Sequence, residues 1–266
     1  MKREWVKDTD GVWWKPDSHG GRFRGVESSC EACQAQIISP TWRSSKFCAR
    51  CGGKTTTAKS RPDLFRLWTP EECWVAGLIW TDGCLSNDNG KLRVVLGLTD
   101  KETLDQVAQI TGADVTGPYQ ATGNRQPMFS IRIGRAESVS ALTAHGLVQR
   151  KSFVATWPDL PHPNHFLRGA FDGDGSITWH RQGGSRKTDN SPLRLFSSLS
   201  GPAEFLDGAQ AYLATCGIAP KKLVHHGSIF KVQWNHGDSL KLRDVLYGQP
   251  GPMMRRKYNR FWAHDM

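Results

Sequence analysis

From residue 62 onward, apolar positions recur in helix-length and strand-length blocks separated by short polar turns. Thr69-Pro70-Glu71-Glu72 reads as a helix start. Thr69 can cap, Pro70 suits the first helical position, and Glu72 can complete a capping box. The helix carries Trp74, Val75, Leu78 and Ile79 and closes at Asp82-Gly83, with Gly83 expected in a left-handed C-terminal position. Asn89-Gly90 signals a hairpin turn. Lys91–Leu98 then reads as a strand, Lys101–Ile110 as a helix, Met128–Gly134 as a strand and Ala136–His145 as a helix. The order recurs. Asn164–Asp174 is helical, after a His162-Pro163-Asn164-His165 run that reads as helix capping. Strands Ser176–Gln182 and Leu193–Leu199 flank a polar turn. A helix at Ala203–Cys216, a strand at Ile229–Asn235 and a helix at Ser239–Tyr247 follow. Each half is thus helix, two strands, helix, two strands, helix, and internal duplication is the simplest account.

The duplication is sharpest in two segments that end in Asp-Gly: VAGLIWTDG, Val75 to Gly83, and LRGAFDGDG, Leu167 to Gly175. Ala76, Gly77, Gly169 and Ala170 offer small side chains for close helix pairing, a steric rule best documented in membranes. Packing does not explain a carboxylate at each helix end. A helix C-terminus already carries partial negative charge, so Asp82 and Asp174 there are unfavourable unless a cation is bound. Carboxylates and backbone carbonyls suit magnesium with retained waters. Ions so placed activate water and stabilise the leaving oxygen in phosphodiester hydrolysis.

Charge narrows the partner. The formal net charge is +10 and the pI about 9.4, which favours a polyanion, nucleic acid before membrane. No long apolar run reads as a membrane span, and MKREWVKDTDG lacks the apolar stretch of a signal peptide. The cysteine usage suggests a reducing compartment, cytoplasmic or nucleoid-associated rather than secreted.

Cys30 and Cys33 form one C-x2-C pair, and Cys48 and Cys51 another. Two such knuckles supply the four thiolates of a tetrahedral zinc site. Residues 1–53 therefore read as a Trp-containing arm and a small zinc ribbon with a basic rim, and 54–61 as a linker. Cys73, Cys84 and Cys216 read as small buried hydrophobes.

The two Asp-Gly segments, in order and each followed by a basic segment (Val148 to Ser152, Met254 to Tyr258), resemble the LAGLIDADG homing endonucleases in their single-chain, two-motif form. The resemblance spans roughly residues 62 to 262, with repeats at 62–158 and 159–266. It implies an α+β fold of two pseudo-symmetric αββαββα repeats forming a saddle on DNA. It implies a monomer that makes a staggered, metal-dependent double-strand break at a long asymmetric site in double-stranded DNA. Asp82 and Asp174 occupy the family's metal-binding position, and Lys151 and Lys257 are similar to its active-site lysines. Arg150, Arg255 and Arg256 would contact phosphates. On the strands, Lys231, Gln233 and Asn235 share one face, Arg132 offers a similar one with Ser130, and Arg194 adds to the second half. Two departures stand out: Trp80 replaces the acidic sixth position that Asp172 retains, and Arg168 replaces the small residue matched by Ala76, where it would tilt or loosen the helix pair. Two rival readings share the fold, a non-catalytic DNA-binding regulator and an RNA maturase assisting intron splicing.

Overall fold

The computed structural model describes residues 6–16, 22–29, 34, 36–40, 60–88, 90–119, 126–181 and 191–264. They fall into two compact units, residues 1–58 and 59–266. In the first, β1 (Val6–Lys7), β2 (Trp13–Pro16), β3 (Arg22–Ser29) and β4 (Gln36–Pro40) form an antiparallel sheet in sequential order. Trp13 pairs with Gly25 and Trp14 with Arg24. The Trp13 indole N–H donates to Glu27 and that of Trp14 to Asp8, so both rings are tethered. Cys30, Cys33, Cys48 and Cys51 lie outside the described residues.

The second unit contains two runs of elements with one plan. The first run is α1 (Pro70–Asp82), β5 (Gly83–Asp88), β6 (Lys91–Leu98), α2 (Lys101–Thr111), β7 (Val115–Tyr119), β8 (Met128–Ile133), α3 (Ala136–Ala144) and a short α4 (Lys151–Val154). The second is α5 (Pro163–Asp174), β9 (Gly175–Arg181), β10 (Leu193–Gly201), α6 (Ala203–Thr215), β11 (Val224–His226), β12 (Ile229–Trp234), α7 (His236–Tyr247) and α8 (Arg255–Phe261). The antiparallel sheets have matching strand orders, β5-β6-β8-β7 and β9-β10-β12-β11. Each half thus adds one short helix, on its basic segment, to the expected seven-element plan. Ser60 and Arg61, read as linker, belong to this unit: Ser60 is buried and Arg61 pairs with the buried Glu72.

Sequence chemistry explains the main boundaries. Thr69 and Glu72 form the expected reciprocal capping box on α1, with Pro70 at its first position. Gly90, at φ +81°, turns the β5–β6 hairpin, a conformation glycine adopts without steric cost. Helix α1 is buried from Glu72 to Trp80, as a helix packed on every side must be.

The helices α1 and α5 form the centre. A methyl group on Gly77 would lie 2.1 Å from the Phe166 carbonyl oxygen, and one on Gly169 would lie 2.0 Å from that of Trp74. Both contacts are impossible, so the backbones touch and each glycine faces the residue three before its counterpart. Gly173 makes a third close approach, against Thr81 and Asp82.

Three expectations are corrected. Gly83 is extended (φ −76°, ψ 164°), as is Gly175. The chain passes directly from helix to strand there, and glycine is needed because a Cβ would meet the Ile79 oxygen at 2.6 Å or the Phe171 oxygen at 2.4 Å. His162 is the residue before α5, but no side chain in the run caps the helix: Pro163 removes one N–H, and Asn164 donates instead to Gln249. Of the three cysteines expected to be buried, only Cys73 is; Cys84 and Cys216 are exposed, Cys84 because strand alternation turns it away from Leu85 and the core.

Candidate active site at the paired helix ends

The tight pairing of α1 and α5 carries Asp82 and Asp174 to one place, because each is the last residue of its helix. Strands β5 and β9 leave from these residues and are edge strands of their sheets. Both residues are exposed to solvent. Desolvation, and then the neighbouring Asp174 carboxylate, push Asp82 up to about 6. Desolvation also raises Asp174. Neither carboxylate is hydrogen-bonded to another described residue.

Lys151 and Lys257 stand beside them, both buried. Lys151 opens α4 and donates to the Thr81 carbonyl. Lys257, in α8, donates to the carbonyls of Phe171 (2.8 Å), Gly173 (2.7 Å) and Gly175 (2.7 Å). All three of its protons are thus used on the end of α5. Burial lowers Lys257 to about 8 and lowers Lys151 as well, while the nearby aspartates oppose the shift. The lysines neutralise helix-end carbonyls and leave the carboxylate oxygens uncommitted. Among the described residues no cluster of three or more His, Cys, Asp or Glu could hold a metal.

Sequence reasoning missed what lies behind the carboxylates. Asp172 is completely buried and accepts from the Trp74 indole N–H (2.8 Å), the Tyr247 hydroxyl (2.6 Å) and the Met254 backbone N–H (2.9 Å). Desolvation raises it to about 6. Arg168 is also completely buried, and the expectation that it loosens the helix pair is overturned. It points away from α1 and donates to the carbonyls of Leu246, Gln249 (2.7 Å) and Pro252 (3.3 Å), capping the C-terminus of α7. The signal was available: a charge at a helix-contact position must find partners or not be there.

The residues expected to read DNA are placed variously. Gln233 and Arg132 are exposed, and Lys231 and Arg194 half-buried, on sheet faces opposite the buried Val232, Trp234, Ile133 and Leu195. Ser130 is covered, its hydroxyl hydrogen-bonded with Thr116 at 3.0 Å. Asn235 lies past the end of β12 and accepts from Asp238 N–H, the N-cap of α7. Lys91, Arg93 and His180 share the polar faces and were not singled out from sequence. Arg194, His180, Arg181, Phe196, Asn235 and His236 line a groove of about 680 Å³ at the end of the second sheet. Arg150 is exposed, whereas Arg255 and Arg256 form solvent-screened pairs with Glu102 (3.2 Å) and Asp100 (3.4 Å) of the first half.

No curated protein matched the chain. Solved structures did. I-SmaMI, crystallised as a meganuclease bound to uncleaveable DNA, is 13% identical over 73% of this chain and 88% of its own, with a TM-score of 0.51. The LAGLIDADG meganucleases I-AabMI and I-CpaMI, each bound to uncleaved DNA, are both 12% identical over 73% of this chain, and over 87% and 90% of their own, with TM-scores of 0.50. A family model for the LAGLIDADG-like domain matches residues 162–247, from the residue before α5 to the end of α7. Residues 162–247 thus match a LAGLIDADG-like domain, within a chain that has the mixed α+β fold of the LAGLIDADG meganucleases.

Proposed function

We propose that the protein is a site-specific, divalent-metal-dependent endonuclease of double-stranded DNA, acting as a monomer. One observation carries the reading: Asp82 and Asp174 meet at the ends of two helices in backbone contact, with no hydrogen-bond partner among the described residues. The donor set fits a hard cation. Two solvent-open carboxylates with raised pKa values lie where helix dipoles concentrate negative charge. The solved structures of the same fold, described as bound to DNA targets, and the net charge of +10 support DNA as the polyanion.

Magnesium held by Asp82 and Asp174 would supply an activated water and stabilisation of the leaving oxygen. The chain's own part is to hold the two carboxylates in fixed relation through the Gly77–Gly169 contact. Lys151 and Lys257 offset negative charge at the helix ends, which lets both carboxylates ionise side by side. The polar faces of the two sheets, with Arg93, Arg132, Arg194, Lys231 and Gln233, would lie along the duplex. Zinc at Cys30, Cys33, Cys48 and Cys51 is proposed from their spacing.

Selection of cleaved sequences from a randomised DNA library, in magnesium and in EDTA, tests the reading. One long asymmetric site recovered only with magnesium is expected. Specific binding without any cleavage would favour a DNA-binding regulator, and preference for structured RNA a maturase.

A further inference from the structure

Each motif helix also holds, through the sixth residue of its motif, the segment that brings a lysine back to that helix's end. In the second half the residue is Asp172. It accepts the backbone N–H of Met254, the residue preceding α8, and α8 carries Lys257 back to the carbonyls around Asp174. Trp74 and Tyr247 fill its remaining positions. In the first half the matching residue is Trp80. Its indole N–H donates to the Thr156 carbonyl at 3.2 Å, just after α4, and α4 carries Lys151 to the Thr81 carbonyl beside Asp82. An acceptor meets an N–H in one half and a donor meets a carbonyl in the other. Two unlike side chains thus tie down the chain on opposite sides of the two lysine-bearing helices, Met254 before α8 and Thr156 after α4.

We infer that Trp80 and Asp172 are positioning residues, each fixing the lysine of its own half. The consequence for cleavage rests on the endonuclease reading; the placement of the lysines does not. Loss of one anchor frees one lysine and leaves the other in place.

The test labels amines on the full-length folded protein with an acetylating reagent and reads each lysine by mass spectrometry. In the unmodified chain Lys151 and Lys257, both buried, react slowly. Asp172→Ala should speed labelling of Lys257 at least about tenfold and leave Lys151 protected. Trp80→Phe, which keeps an aromatic ring but removes the pyrrole ring and its N–H donor, should expose Lys151 alone. Asp172→Asn should keep Lys257 protected. Its oxygen can take the Trp74 and Met254 N–H groups while its amide donates to the Tyr247 oxygen. Equal exposure of both lysines in Trp80→Phe, or continued protection of Lys257 in Asp172→Ala, would overturn the inference; should the alanine variant not fold, Trp80→Phe decides. Correct labelling with no cleavage by any form, the unmodified chain included, would sink the endonuclease reading and leave the positioning role standing.

Discussion

Asp82 and Asp172 share a direction of shift with a defined effect on stability. Both are raised to about 6 on folding, by burial first. The folded state then binds more protons than the unfolded chain between about pH 4 and pH 6. Their contribution to stability is fully present below the ordinary carboxylate range and is lost as pH rises through about 6. In metal-free buffer, Asp82→Asn should flatten this part of the stability–pH curve measured by denaturant unfolding. Magnesium should raise the melting temperature at pH 7.5 and lose that effect below pH 6, because protonated carboxyls do not bind it. Arg168 contributes to stability separately. It caps three carbonyls from a fully buried position, so Arg168→Met leaves them unsatisfied and should cost roughly 3 kcal/mol in the same unfolding measurement. Arg168→Lys should not restore the loss, since an ammonium cannot reproduce the planar fork.

Among the elements, the α1–α5 pair decides whether the site exists. Gly77→Ala or Gly169→Ala drives a methyl into a facing carbonyl and should destabilise the protein by roughly 3 kcal/mol, read by thermal or chemical denaturation. The local sequence shows this pair well. The Thr69–Glu72 box, the hairpin at Gly90 and the two glycines each follow from local chemistry. Other features depend on tertiary context. Gly83 signals a helix end, but its extended conformation follows from the strand that departs there, and its need for a bare Cα from Ile79 behind it. Asn235 fits a polar strand face by alternation, yet the chain turns one residue earlier and spends its side chain as a cap. Asp172 and Arg168 have partners about eighty residues away in sequence, at Tyr247, Met254 and Leu246, which no local pattern encodes. For the first unit, the spacing of Cys30, Cys33, Cys48 and Cys51 predicts about one tightly bound zinc per chain, released on thiol modification and measured with a chromogenic chelator. Retention of binding after replacement of all four cysteines by serine would contradict it.

For the whole molecule, the duplicated plan gives two sheets of the same topology, each leaving from one carboxylate, and on the proposed function the net charge of +10 would supply long-range attraction to DNA. Binding to a cognate duplex should weaken steeply as salt rises. Arg132→Ala or Lys231→Ala should lower affinity in titrations by about 1 kcal/mol or more each, without altering the metal requirement. The halves are alike in plan and unlike in detail. Trp80 stands opposite Asp172, and Ala76 opposite Arg168. Whether Asp82 and Asp174 together hold the metal that cuts DNA is decided by cleavage of a plasmid bearing the selected site, in magnesium, by the unmodified chain and by Asp82→Asn and Asp174→Asn. Linear product is expected from the unmodified chain, none in EDTA, and a loss of at least about 100-fold in each variant; cutting by either variant at the unmodified rate would rule out the proposed metal site.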